Sequence, residues 1–236
     1  MAGGLNNSIL LTIGDILYFT VNIGTQLWRS DGTESGTYLI KNISSNSSSN
    51  NFISQLINYN GNIVFGANDN INGSELWISN GTTIGTALLK DINVGSNGSN
   101  PYNFFVFNEY LYFVANDGIN GNKIWKSDGT NSGTQLLQDN GAPTYSSLGG
   151  GNFIIFNNDF YFYAYNNTNG FELWKSDGTS AGTLLFKDIV PGTNSSNNNF
   201  SENIYYGENF SLSGMFFHYQ FGGGKDYHIN ASTIDF

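Results

Sequence analysis

A short phrase that recurs four times constrains the fold of this chain more than any other feature. Each copy ends in a Gly-Thr pair, is closely followed by a second Gly-Thr pair and contains one of the four tryptophans. The tryptophans are Trp28, Trp77, Trp125 and Trp174, spaced 49, 48 and 49 residues apart. Such a period lies at the upper end of the range of about 40–50 residues that is typical of β-propeller blades.

Each period divides into four short β-strands, and the third period shows the division most clearly. Gly129 follows Asp128 at the head of its last turn, where glycine adopts positive φ at little cost. Turn-forming residues separate four predicted strands, at Asn103–Phe107, Tyr110–Asn116, Lys123–Ser127 and Thr134–Gln138. Three tight reversals in succession predict a four-stranded antiparallel meander.

We therefore predict an all-β protein, a five-bladed β-propeller of four-stranded antiparallel meanders in a single domain spanning residues 1–236. Its units lie approximately at 8–43, 51–92, 101–140, 148–189 and 198–236. The fifth unit is divergent. Gly214–Phe221 matches the second strand, and Asp226–Ser232 takes the place of the tryptophan strand, with Ile229 near the tryptophan position.

The sequence ends at Phe236, so we expect the fifth unit to lack its last strand. The N-terminal residues around Leu5–Ser8, a neighbouring subunit or further sequence could supply this strand. An unpaired sheet edge favours association, so strand sharing between subunits is an attractive mode of assembly.

The recurring phrase Glu-Leu-Trp-x-x-Asp-Gly-Thr resembles the repeat of the ELWxxDGT family. Glu172–Thr179 matches it at every defined position, and Glu75–Thr82 departs from it at Asn80. The first copy has Gln26 in place of the glutamate, and the third has Lys123 followed by isoleucine. The resemblance covers residues 9–190, roughly units one to four. It implies propeller-forming repeats of large surface or secreted proteins with adhesion-like roles, and it supplies no catalytic residues.

The repeated tryptophans and turn residues each allow two interpretations. The tryptophans could form one sugar-stacking platform per blade, but we favour packing between adjacent blades, because a large aromatic side chain buries much apolar surface. The residues at the head of the repeated turn could ligate a cation, but we favour an Asx-turn in which they accept N–H groups of their own hairpin. These turn residues are Asp31, Asn80, Asp128 and Asp177.

Two further groups of residues could hold a metal ion. One loop is rich in the oxygen ligands that Ca²⁺ prefers but lacks the spacing of a twelve-residue calcium loop, so we favour a hairpin role. The other group is the pair of histidines, His218 and His228, which a meander could place on neighbouring strands of the fifth unit. We expect no cofactor, with calcium as the alternative. The loop candidates are Asp69, Asn70, Asn72 and Glu75.

Composition excludes several kinds of site. The chain has no cysteine, which excludes disulfides, thiolate metal sites and cysteine nucleophiles. Eight Lys and Arg residues against 18 Asp and Glu give a net charge of −10 and no basic stripe, so we expect no nucleic-acid partner. Gly14 and Asp15 interrupt the apolar run of Ser8–Phe19, so we expect no membrane insertion.

The repeated structural phrase, the polar Asn-rich loops and the lack of a catalytic constellation favour a non-catalytic surface or assembly protein. We expect it to self-associate or to bind another surface protein in an extracellular, cell-surface or virion-surface location. A lectin-like glycan-binding module is one alternative, since several equivalent blades would provide avidity. An enzyme with an axial site in the divergent fifth unit is another.

Overall fold

The structure, a computed structural model, describes residues 9–21, 24–44, 53–137, 153–193 and 196, together with the backbone of two strands at 216–221 and 225–230. The chain divides into two compact units, Met1–Ser196 and Asn197–Phe236. The described residues form eighteen β-strands and no helix. The prediction of an all-β protein is therefore confirmed.

Sixteen of the strands form four four-stranded sheets, and within each sheet every strand pairs with its neighbour along the chain. We call these sheets units 1 to 4. Unit 1 contains β1 (Leu10–Ile13), β2 (Ile16–Val21), β3 (Gln26–Ser30) and β4 (Tyr38–Asn42). Unit 2 contains β5 (Ile57–Tyr59), β6 (Asn62–Asn68), β7 (Ser74–Ser79) and β8 (Thr86–Lys90). Unit 3 contains β9 (Tyr102–Phe107), β10 (Tyr110–Asn116), β11 (Asn122–Ser127) and β12 (Gln135–Leu136). Unit 4 contains β13 (Ile154–Phe156), β14 (Asp159–Asn166), β15 (Gly170–Ser176) and β16 (Leu184–Lys187).

Unit 3 follows the predicted meander closely, except at its last strand. The turn between β9 and β10 places Asn108 at φ 44° and Glu109 at φ 65°, the two successive left-handed residues of a type I′ hairpin. The fourth strand is shorter than the predicted Thr134–Gln138. Thr134 belongs to the preceding turn, where its hydroxyl donates to the carbonyl oxygen of Thr130. Gln138 lies outside the described residues.

The second compact unit contributes an antiparallel pair, β17 (Phe216–Phe221) and β18 (Lys225–Asn230). Both strands overlap the segments that the sequence predicts for the fifth unit. Ile229 lies opposite Phe217 in the register. In units 1 to 4 a phenylalanine lies opposite the motif tryptophan in the same way, in the pairs Phe19–Trp28, Phe65–Trp77, Phe113–Trp125 and Phe162–Trp174.

The core consists of three apolar clusters, each shared by two consecutive units. In the second cluster, Phe113 and Trp125 of unit 3 pack with Val64 and Leu76 of unit 2. The first cluster joins units 1 and 2, and the third joins units 3 and 4, with equivalent residues. Units 1 to 4 are therefore stacked in the order of the sequence, and each sheet covers one face of the next.

Candidate functional site

The repeated turn between the third and fourth strands is held by side-chain hydrogen bonds. In unit 3, Asp128 Oδ1 accepts the backbone N–H of Thr130 at 2.8 Å and its hydroxyl at 2.6 Å. Thr130 Oγ1 in turn accepts the N–H of Gly133 at 2.9 Å. The hydroxyls of Ser127 and Thr134 lie 2.7 Å apart at the base of the turn. The polar groups of the motif are thus bonded within a single hairpin.

The other three turns repeat this arrangement. The residue at the head of each turn accepts the backbone N–H and the hydroxyl of the threonine two positions later, in the pairs Asp31–Thr33, Asn80–Thr82 and Asp177–Thr179. The threonine hydroxyl is the main cause that lowers the pKa of each of the three motif aspartates below its ordinary value. All four predicted turn residues therefore accept hydrogen bonds within the turns that they begin.

The side chain at the head of each turn leaves room only for a glycine in the second Gly-Thr pair. A Cβ atom added to Gly133 would overlap the carboxylate of Asp128. The same overlap would occur at Gly36 with Asp31, at Gly85 with Asn80 and at Gly182 with Asp177. The spacing between the acidic residue and this glycine is therefore a packing requirement of the turn.

Three of the four motif tryptophans are buried between units. Trp77 is 6% exposed, and Trp125 and Trp174 are each 7% exposed. Each belongs to the apolar cluster that its unit shares with the preceding unit. These three indoles therefore offer no open face for a sugar to stack on.

Trp28 of unit 1 is the exception, because it is half-buried. Its Nε1–H donates to Oε1 of Gln26 at 3.1 Å, and its ring stacks on Phe19. The register places Leu10, Phe19, Trp28 and Leu39 in one row across the four strands of unit 1. Leu10 is 65% exposed and Leu39 is 39% exposed, so this face of unit 1 is open compared with its counterparts in the later units.

Glu75, the first residue of the motif in unit 2, is fully buried and holds the connection to unit 3. Its carboxylate accepts the backbone N–H groups of Ile92 at 2.8 Å, Asn93 at 3.2 Å and Ser99 at 2.7 Å. It also accepts the hydroxyl of Ser99 at 2.6 Å. Burial raises the pKa of Glu75 above its ordinary value, although the four hydrogen bonds oppose the shift.

Glu172 plays the same part in unit 4. It is also fully buried, and it accepts the backbone N–H groups of Ile189, Val190 and Ser196. In both units the donors lie 17, 18 and 24 residues after the glutamate. Sequence reasoning missed this role, although a glutamate followed by a serine at that fixed distance is a signal that could have revealed it.

The loop proposed as a calcium candidate does not direct its oxygens to one point. Asp69 accepts the N–H groups of Ile71 and Asn72 and the side-chain amide of Asn72. Burial raises the pKa of Asp69, but these bonds outweigh it and the pKa lies below its ordinary value. Asn70 donates to the hydroxyl of Ser44, and the Glu75 carboxylate faces the connection to unit 3. The loop is therefore a self-bonded hairpin.

The structure places the two histidines on paired strands. His218 of β17 lies directly opposite His228 of β18. Among the residues whose side chains the structure describes, no group of three or more His, Asp or Glu side chains is arranged to hold a metal ion. The same part of the chain contains no helix that is long and apolar enough to cross a membrane.

No protein-family model matches the chain, and no curated protein matches it either. Solved structures do show a likeness in fold. One is a puromycin hydrolase, 12% identical with a TM-score of 0.53, where the match covers 95% of this chain and 33% of that one. Another comes from a study of two prolyl endopeptidases, 10% identical with a TM-score of 0.50, covering 76% of this chain and 25% of that one.

The chain thus spans a third or less of the length of these structures. At such low identity the likeness concerns the fold alone. Together with the stacked four-stranded meanders, it supports a β-propeller-like all-β fold.

Proposed function

We propose that this chain is a non-catalytic surface or assembly protein that acts by self-association or adhesion. The observation that carries the proposal is the use of the motif's polar groups within the fold. The turn aspartates bond their own hairpins, and the buried glutamates Glu75 and Glu172 bond the connections between units. A repeat whose polar side chains are used internally is suited to building a scaffold, with its exposed loops left for contacts.

The architecture proposed for this scaffold is a five-bladed propeller with residues 197–236 as the fifth blade. The Phe217–Ile229 register supports it, because it reproduces the Phe–Trp pairing of the other four units.

The number of blades can be counted from two distances between spin labels. Ser35, Ser132 and Ala181 are exposed and lie at equivalent positions in the motif turns of units 1, 3 and 4. Because the chain has no cysteine, cysteines placed there can be labelled cleanly. In a ring of five, the Ser35–Ser132 and Ser35–Ala181 distances are equal, since one unit separates each pair. A ring of six or more would make the second distance longer, and a ring of four would make it shorter.

Exposed aliphatic residues on rigid loops support the contact role. Ile71 and Ile119 are 74% and 87% exposed, at equivalent positions in the loops between the second and third strands of units 2 and 3. The carboxylates of Asp69 and Asp117 each accept three hydrogen bonds that hold these loops. Val94, which is 84% exposed, lies in the connection at the same end of unit 2. Contiguous exposed apolar patches mark contact surfaces, and we propose that these loop residues contribute to one.

Sedimentation of the untagged chain over a range of concentrations tests self-association. We expect an average mass that rises with concentration, and a smaller rise when Ile71 and Ile119 are both replaced by serine. Ile84→Ser is the matched control, because Ile84 is 97% exposed in the motif turn at the opposite end of unit 2. A particle that stays monomeric at every concentration would rule out self-association, and an equal effect of Ile84→Ser would remove the loops as its site.

A further inference from the structure

Asn-Gly pairs recur along this Asn-rich chain, and six of the seven pairs lie within the described residues. Asparagine is one of the thermally labile residues of proteins. A following glycine favours its breakdown, because a residue without a Cβ leaves its backbone nitrogen open to the asparagine side chain. The seventh pair, Asn140–Gly141, lies outside the described residues. The six described pairs begin at Asn60, Asn72, Asn80, Asn97, Asn120 and Asn169.

In three of the six pairs, a hydrogen bond holds the asparagine side-chain amide. Each of these amides donates to an aspartate carboxylate, at 2.8, 2.6 and 2.9 Å, in the pairs Asn72–Asp69, Asn120–Asp117 and Asn169–Asp188. An amide held in this way must first give up its bond before its carbon can turn towards the next backbone nitrogen. These three pairs are therefore protected at the carbon that would be attacked.

In two further pairs, a hydrogen bond holds the glycine N–H. The N–H of Gly61 donates to Oδ1 of Asn58 at 3.0 Å, and the N–H of Gly81 donates to Oγ of Ser79 at 3.1 Å. Each bond fixes the orientation of the peptide plane, so it must break before the nitrogen can approach the preceding side chain. These two pairs are therefore protected at the attacking nitrogen.

The remaining pair, Asn97–Gly98, has neither kind of protection. Asn97 is exposed and lies in the connection from unit 2 to unit 3. Within the described residues, no hydrogen bond engages the Asn97 side chain or the N–H of Gly98. The side-chain amide of Asn93 donates to the backbone carbonyl oxygens of both residues, at 3.1 and 3.3 Å. Both reacting groups, the Asn97 amide carbon and the Gly98 nitrogen, are left free by these bonds.

We propose that Asn97 is the principal site of spontaneous deamidation in units 1 to 4. The backbone nitrogen of Gly98 bonds to Cγ of Asn97, and Nδ2 leaves as ammonia with the proton that this nitrogen gives up. Water then opens the resulting succinimide at one of its two carbonyl carbons. Cleavage of the new bond between the nitrogen and Cγ gives aspartate, and cleavage of the original peptide bond gives isoaspartate. The inference goes beyond the proposed assembly role and does not depend on it.

Deamidation of Asn97 should loosen the connection to unit 3. Two residues further on, Ser99 donates its N–H and its hydroxyl to the buried Glu75 carboxylate. Gly98 is packed so closely that a Cβ atom added to Gly73 would overlap its nitrogen. Isoaspartate lengthens the backbone at this crowded point, and both products carry a carboxylate that is charged at neutral pH. We therefore expect the Ser99 amide to lose protection from hydrogen exchange in the deamidated chain.

The test is incubation of the folded, untagged chain at mildly alkaline pH, followed by peptide mapping with mass spectrometry. We expect Asn97 to yield more aspartate and isoaspartate than the other five described pairs together. In the chain unfolded in urea, the six sites should react at comparable rates, because only the fold distinguishes them. Asn97→Gln is the matched control. It keeps a side-chain amide but would require a larger ring, so it should remove the reaction at this site alone.

Two variants test the cause of the protection elsewhere. Asn58→Ala removes the acceptor of the Gly61 N–H, and Asp117→Ala removes the acceptor of the Asn120 amide. Deamidation of Asn60 and of Asn120 should rise about 2–10-fold in the respective variant, the factor that corresponds to one typical net hydrogen bond. Deamidation of Asn97 should stay unchanged in both. If neither site reacted faster, hydrogen bonding would not be the source of the protection.

Two results on the unmodified chain would overturn the proposal. One is a folded chain in which another described Asn-Gly pair reacts as fast as Asn97 or faster. The other is the same distribution of products in the folded chain and in the chain unfolded in urea. Neither result requires a variant, so the proposal can be refuted even if a substitution unfolds the protein.

Discussion

Replacing Glu75 should detach the connection between units 2 and 3. The Glu75 carboxylate is fully buried and accepts three backbone N–H groups and one hydroxyl from Ile92, Asn93 and Ser99. Glu75→Ala leaves four donors without their acceptor, and each unsatisfied buried donor costs about 1–3 kcal/mol. Because the connection can move towards water, the loss should be smaller than the sum, and we expect about 2–4 kcal/mol in the free energy of unfolding.

Urea unfolding measures the loss of stability in Glu75→Ala, and amide hydrogen exchange shows which part of the chain loses protection. Gln26→Ala is the matched control, since Gln26 occupies the same motif position in unit 1 and, among the described residues, accepts one hydrogen bond, from the Trp28 indole. We expect this control to cost about 0.5–1.5 kcal/mol. In Glu75→Ala, the amides of Ile92 and Ser99 should lose protection before the rest of the sheet. If the variant kept the wild-type midpoint and the amides stayed protected, the assigned role of Glu75 would be wrong.

The stability difference between the wild type and Glu75→Gln should depend on pH. The direction of this dependence follows from the raised pKa of Glu75. The folded protein holds the Glu75 proton more tightly than the unfolded chain does, because burial penalises the carboxylate. The stability from this group is therefore fully present below the ordinary pKa of 4.5 and is lost as the pH rises through the folded value. Glutamine does not titrate, so the stability difference between wild type and Glu75→Gln should shrink as the pH rises. A difference that grew with pH would contradict this.

Three further predictions concern the repeat itself. Gly133→Ala should cost about 1–3 kcal/mol in urea unfolding, because the new Cβ overlaps the Asp128 carboxylate, and Asp128→Ala should remove this added cost. Thr130→Val should raise the pKa of Asp128 towards 3.8 in an NMR titration, because the hydroxyl is the main cause of the lowered value; no change would refute that cause. Trp125→Ala should cost about 3–5 kcal/mol and Trp28→Ala less, since only Trp125 is buried between two units, and equal losses would argue against that stacking.

The strands and turns could be predicted from the sequence because they depend on local patterns. Apolar alternation and turn residues predict β10 at its observed bounds, Tyr110–Asn116. The Asx-turn at Asp128 was also predictable, since both of its donors lie on Thr130, two residues away. Short-range hydrogen bonds of this kind depend on residues that are adjacent in the sequence.

The roles that escaped prediction depend on long-range contacts. Glu75 lies near Asp69 in the sequence, so both can be read as ligands of one loop, yet the partners of Glu75 lie 17 to 24 residues further on. The half-buried state of Trp28 was equally hidden. Its copy of the motif differs from the others at Gln26, but the indole is half-buried because unit 1 is the first in the stack and no described unit precedes it.

The claim that consecutive units stack by burying one indole each can be tested on the unmodified protein by solvent exchange of the four indole N–H protons in NMR. The Nε1 atoms of Trp77, Trp125 and Trp174 are shielded from solvent, whereas Trp28 is half-buried. We predict three slowly exchanging indole signals and one that exchanges faster. Four signals that all exchange as rapidly as a free indole would contradict the stacking of these units.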